Sequence, residues 1–124
     1  MEEITGVSAQ LFSWAMNAEL IKQRVAAENI ANAHVTGYQA KKVDFSQAMQ
    51  ALNQSTSSTE LVAKLAQLED SGAVYSLSER ALNGDGVKLD EEVLASIRAS
   101  GKYRTLADLL DRQMGLMKIA VKGR

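Results

Sequence analysis

Seven apolar residues near the start of the chain fall at alternating three- and four-residue steps: Ile4, Val7, Leu11, Trp14, Ala18, Ile21 and Val25. Steps averaging 3.5 residues keep side chains on one seam of a helix, whereas a strand alternates every second residue. The spacing therefore predicts a helix over about residues 4–33, its apolar face ending where Glu28 and Asn29 bring polar groups onto the seam. No proline occurs anywhere in the 124 residues, so no ring obliges a helix to kink or stop.

The C-terminal third repeats the pattern. Leu89, Val93, Ser96, Ser100, Tyr103, Ala107, Leu110, Met114, Met117 and Val121 are again spaced four and three apart. Asp90 stands as a candidate N-cap, Leu89 and Leu94 have the spacing of a hydrophobic staple, and Glu91 and Glu92 put negative charge in the first turn. Lys118, Lys122 and Arg124 complement the negative end of the helix dipole, by roughly 0.3–1 kcal/mol each. Ser96 and Ser100 leave room for a facing helix to come close. Each predicted helix has about 30 residues and a length of roughly 45 Å, and two such helices joined by a connector can fold back as a hairpin.

Between them the pattern weakens. Gln39 to Phe45 can be extended, Ser46 to Leu52 can form a short helix, and the small polar run Asn53 to Thr59 reads as a surface loop. Ser57 and Glu60 have capping-box spacing ahead of Leu61-Val62-Ala63-Lys64-Leu65, predicting a short helix over about 59–69 that Gly72 ends. Val74 to Leu77 alternates like a strand, and Asn83-Gly84-Asp85-Gly86 reads as a turn. That turn lacks the alternating oxygen ligands of a calcium loop. The fold class is thus mainly all-α: two long terminal helices as a coiled-coil-like hairpin around an irregular middle with one short helix. One domain spans 1–124, divided at 1–33, 34–58, 59–89 and 90–122.

Some apolar residues lie off both seams: Phe12, Met16, Leu20 and Ile30 at one end, Leu94, Ile97, Leu109, Leu116 and Ile119 at the other. A helix apolar on several sides is covered on several sides. Either a globular core or neighbouring copies can supply that cover. The candidate assembly residues are accordingly Ile4, Val7, Leu11, Phe12, Trp14, Met16, Leu20, Ile21, Val25, Val93, Tyr103, Leu109, Leu110, Met114, Leu116, Met117 and Val121.

The chemistry the sequence omits narrows the function. Net charge is −1, from 14 basic and 15 acidic residues, without the basic footprint of a nucleic-acid binder. There is no cysteine and one histidine, His34, so thiol catalysis and a cysteine–histidine zinc site are excluded. No nucleophile elbow and no phosphate-binding glycine pattern occurs. No cofactor and no small-molecule substrate is expected, and an enzyme is not. No apolar run approaches the roughly 20 residues that span a bilayer, and the acidic start does not read as a cleaved secretory signal.

Two segments carry a resemblance. Asn29-Ile30-Ala31-Asn32, two variable residues, then Val35-Thr36-Gly37-Tyr38, followed by Val43-Asp44-Phe45, resembles the signature of flagellar axial proteins. The usual form has Thr-Pro where Val35-Thr36 stands. Gly86 to Glu92, with Tyr103-Arg104 and Leu109 to Val121, is similar to the C-terminus of the FlgB family of rod proteins, with Ala99 where that family often has Asn. The resemblance covers roughly 70 residues at the two ends. It implies a structural subunit of the proximal rod in the bacterial flagellar basal body, within the periplasm, exported by the flagellar type III apparatus without signal cleavage. It also implies terminal helices that self-assemble, transmit motor torque and line the export channel. The implied partners are further copies, a FliE-like adaptor, FlgC-type and FlgF-type rod subunits, the membrane-ring protein and the export gate. The residues themselves leave two other classes open. One is a cytoplasmic coiled-coil adaptor or regulator; the other is a membrane-surface helix, which the mixed charges Glu19, Lys22, Arg24 and Glu28 disfavour.

Overall fold

The heptad seam of the first third forms one unbroken helix, α1 (Glu2–Ala31). The computed structural model describes residues 2–71, 76–79 and 86–123, with side chains over 6–67 and 86–123. After α1 come strand β1 (Lys41–Asp44), helices α2 (Ser46–Asn53) and α3 (Ser58–Ser71), strand β2 (Ser76–Glu79) and the long helix α4 (Leu89–Lys122). Helices α1 and α4 pack along their length. They run antiparallel: Val25 and Ala26 of α1 share a cleft with Glu92 and Ala95, while Leu11 lies across from Leu106.

The middle is more ordered than a loop with one helix. The polar run shortens to residues 54–57, because Asn53 ends α2 and Ser58 begins α3. Burial explains the second helix: Ala48 and Leu52 of α2 and Leu65 of α3 close over Trp14 of α1, with Leu11, Ala15, Phe45 and Leu61 around them. The Phe45 ring meets the Trp14 indole edge-on, 6.0 Å between centroids and 75° between planes. Burying side chains of this size is worth about 1.5–3 kcal/mol each. The second face of α1 is therefore covered by the chain's own middle region.

Local chemistry sets the starts of these helices. The Asp44 carboxylate accepts from the Ser46 N–H at 2.8 Å, an Asx turn that launches α2. Ser57 caps α3 by accepting the Glu60 N–H through its hydroxyl at 3.2 Å. Glu60 reaches back one residue further than a capping box requires, accepting the Thr56 N–H at 3.0 Å and the Thr56 hydroxyl at 2.9 Å. For α4 the cap falls two residues before the expected Asp90. The cap is Lys88, without a side-chain cap bond, and Asp90 lies inside the first turn with Glu91 and Glu92, where all three carboxylates still favour the helix dipole. Gly123, at φ 67° in the left-handed region, closes α4 by donating to the Ile119 carbonyl.

The two strands form an antiparallel ribbon, Lys41 opposite Glu79 and Asp44 opposite Ser76. The expected extended segment at 39–45 becomes β1, and the later alternation becomes β2, two residues further on than expected. Val74 and Tyr75 fall outside the described residues, as do Gly72, the turn residues Asn83 to Asp85, and Arg124.

Candidate assembly surface

The end of α1 carries the most specific polar geometry in the described chain. Asn29 has 0% exposure. Its side-chain Nδ2 donates to the Lys41 carbonyl at 2.9 Å, and its Oδ1 accepts the Lys41 N–H at 2.9 Å and the Tyr38 hydroxyl at 2.9 Å. A buried amide left unmatched would cost roughly 1–3 kcal/mol per group; here donor and acceptor both find partners. Asn32 turns back and donates to the Glu28 carbonyl at 2.8 Å, satisfying a last-turn acceptor. The exit then needs a residue at φ +80°, and Gly37 supplies it. Tyr38 is half-buried, whereas Ala31 is exposed and Ile30 half-buried. Of the six motif positions the structure thus joins Asn29 and Tyr38 directly, with Asn32 and Gly37 shaping the turn between them.

Below this exit the α1–α4 contact is charged. Glu19 is buried and accepts from Lys22 at 3.3 Å, while the Lys22 ammonium also sits 5.4 Å from the Phe45 ring centroid. Lys41 pairs with Glu28 at 3.6 Å. Lys42, Arg98 and Lys102 line the same cleft, of about 240 Å³. His34 is exposed in the turn after α1, and no group of three metal-ligating side chains occurs among the described residues. No helix among them is long and apolar enough to cross a membrane.

The expected assembly residues separate into three groups. Trp14, Ile21 and Val25 are buried inside the chain, so this fold spends them on its own core. Val7, Leu11, Phe12, Met16, Tyr103, Leu110 and Met117 are half-buried. Leu20, Val93, Leu109, Met114, Leu116 and Val121 are exposed, Leu116 by 68% and Val121 by 81%. Ile4 lies outside the described side chains. Leu11, Phe12, Met49, Leu52, Leu61 and Leu106 also line an open apolar groove of about 520 Å³.

On α4 the buried seam differs from the expected one at every second position. It runs Glu92, Ser96, Ala99, Tyr103, Leu106, Leu110, Gln113 and Met117, all buried or half-buried. Ser96, Tyr103, Leu110 and Met117 are common to both series; Val93 and Met114 give way to Glu92 and Gln113 and stand exposed. Hydrophobicity favours Val93 over Glu92, so pattern alone selects the wrong member. Leu106 is the residue this missed, and its phase relative to Tyr103 and Leu110 was the available signal.

Comparison with known proteins bears on these same elements. A family model described as flagella basal body rod protein matches residues 13–39, the stretch from the core face of α1 through the Asn29–Tyr38 exit. The whole chain is similar to the flagellar basal body rod proteins FlgB of Yersinia enterocolitica and Yersinia ruckeri, each 26% identical over 123 residues, covering 88% of this chain and 90% of theirs. Those relatives are rod components by name, and the paired terminal helices fit such a component.

Proposed function

We propose that the chain is a non-catalytic structural subunit of the proximal rod, assembling with further copies and neighbouring axial proteins through its terminal helices. The observation that carries this reading is the uneven covering of those helices. The second face of α1 is closed by α2 and α3, whereas the last turns of α4 leave Leu109, Met114, Leu116, Ile119 and Val121 exposed. Leu109, Leu116 and Ile119 lie on one flank of the α1-facing seam and Met114 and Val121 on the other, and exposed apolar residues on both flanks suit cover by other proteins. The match over residues 13–39 adds the exit motif, which fixes where the middle region leaves α1.

In this reading the α1–α4 pair passes torque and lines the export channel. The neighbours are a FliE-like adaptor, FlgC-type and FlgF-type subunits, the membrane-ring protein and the export gate. The subunit reaches the periplasmic rod without a cleaved signal. Deleting residues 1–30 in the source bacterium abolishes motility and leaves basal bodies without a rod. Full motility after the deletion overturns the reading.

A further inference from the structure

The first half of α4 presents a second exposed seam, facing away from α1. Asp90, Leu94, Ile97, Gly101 and Arg104 follow one another at four- and three-residue steps, with Val93 beside them, and all are exposed. Ile97 is the most exposed of the apolar members, at 63%. Gly101 offers bare backbone, since a Cβ added there would meet nothing within 4 Å. The charges are ordered along the seam, with Asp90 one heptad before Ile97 and Arg104 one heptad after it.

We infer that this seam is a self-complementary contact, in which α4 of one copy crosses α4 of a second copy antiparallel, with the two-fold axis at Ile97. The order of charges selects both occupant and direction. Antiparallel pairing about Ile97 sets Asp90 of each copy against Arg104 of the other, whereas parallel pairing stacks like on like. The same register lays Val93 and Leu94 over the bare backbone of the partner's Gly101 and brings the two Ile97 side chains together. Small residues let helices approach closely, and apolar side chains at the crossing supply the affinity. The ion pairs stay at the rim and fix orientation more than strength. One helix face buries less than a standard interface, so the dimer is weak and concentration-dependent. A two-fold contact closes on itself and cannot extend into a filament. It therefore describes a form of the free subunit, separate from the rod reading.

The chain lacks cysteine, so a single introduced thiol reports the geometry. In the full-length protein under mild oxidation, Ile97→Cys forms a covalent dimer much faster than Ala63→Cys, an exposed control on α3. Sedimentation across a concentration series shows reversible dimerisation of the unaltered chain. Asp90→Arg or Arg104→Asp raises the dissociation constant about tenfold, and the double variant with both changes restores it. Unchanged far-ultraviolet circular dichroism establishes that each variant is folded. A monomer at every concentration, Ile97→Cys cross-linking no faster than the control, or no rescue in the double variant overturns the proposal. The deletion of residues 1–30 tests the rod reading by itself, so a chain that stays monomeric but whose deletion abolishes motility overturns this contact and leaves that reading standing.

Discussion

The side-chain amide of Asn29 bonds both backbone groups of Lys41, donating to its carbonyl and accepting from its N–H, each at 2.9 Å. One buried side chain thereby does for β1 what a neighbouring strand would do, twelve residues along the chain. Asn29→Ala removes that pairing and strands the Tyr38 hydroxyl as well. Unmatched buried groups cost about 1–3 kcal/mol each, so a loss of roughly 2–4 kcal/mol is expected in urea unfolding. Asn29→Asp keeps the size but cannot donate to the Lys41 carbonyl, and it is expected to fare no better at neutral pH. Hydrogen exchange of the Lys41 amide gives the local check, since protection there disappears in Asn29→Ala and is retained in Asn29→Asp, whose carboxylate still accepts the N–H.

How much of this was legible beforehand varies by element. The α1 seam was, because Trp14, Ala18, Ile21 and Val25 are apolar and buried alike. Gly37 stood in the quoted motif, and the φ of +80° it takes is one few other residues adopt. The α4 seam was only half legible. Two heptad series one residue apart share Tyr103 and Leu110, and the fold takes the one that buries Glu92. Glu92 shares its cleft with Lys22, Lys41 and Lys42, a tertiary grouping no local pattern holds. The ribbon was legible as extended segments but not as a pairing, because nothing in four residues names the partner strand.

The seam assignment has its own test. Leu106→Ala removes a half-buried side chain facing α1 and is expected to destabilise by about 2 kcal/mol, the low end for such truncations. Met114→Ala, at an exposed position of the expected series, stays within about 0.5 kcal/mol of the parent. Thermal unfolding of the two variants side by side decides between the series, and equal losses count against the observed one.

The core of the middle region depends on Trp14, which packs against Phe45, Leu52 and Leu65. Trp14→Ala is expected to cost about 3–5 kcal/mol, as large truncations in cores do. Trp14→Phe costs less, because most of the ring volume remains and the indole Nε1 has no hydrogen-bond partner to lose. The variants differ in denaturant midpoint, and the loosened α2 shows as faster proteolysis within residues 46–57.

Acid loosens the start of α3. The Thr56 N–H, followed by the Lys64 ammonium and the Thr56 hydroxyl, holds the Glu60 carboxylate at a pKa of about 2, against an ordinary 4.5. A lowered pKa in the folded chain means stability that is present above the unfolded value and drains away as pH falls from about 4.5 towards 2. The Ser46 N–H likewise lowers the Asp44 carboxyl, so the start of α2 shifts in the same direction. Glu60→Gln is expected to flatten the dependence in that window, read as the fraying of residues 57–61 by nuclear magnetic resonance. A variant that titrates as steeply as the parent removes Glu60 from the account.

Assembly and folding separate most cleanly at the end of α4. Leu116 and Val121 are 68% and 81% exposed, so replacing both with Ser removes almost no packing within the chain. The purified variant is expected to unfold within about 0.5 kcal/mol of the parent, as surface substitutions generally do. If these last turns contact neighbouring subunits on both flanks, motility falls nonetheless, because each flank loses an apolar anchor and interface cores tolerate polar groups poorly. The Trp14 substitution fails in the opposite order, losing stability first and motility as a consequence. A Leu116 and Val121 variant that is both stable and fully motile moves the assembly surface away from the last turns of α4, towards the apolar groove beside Leu106.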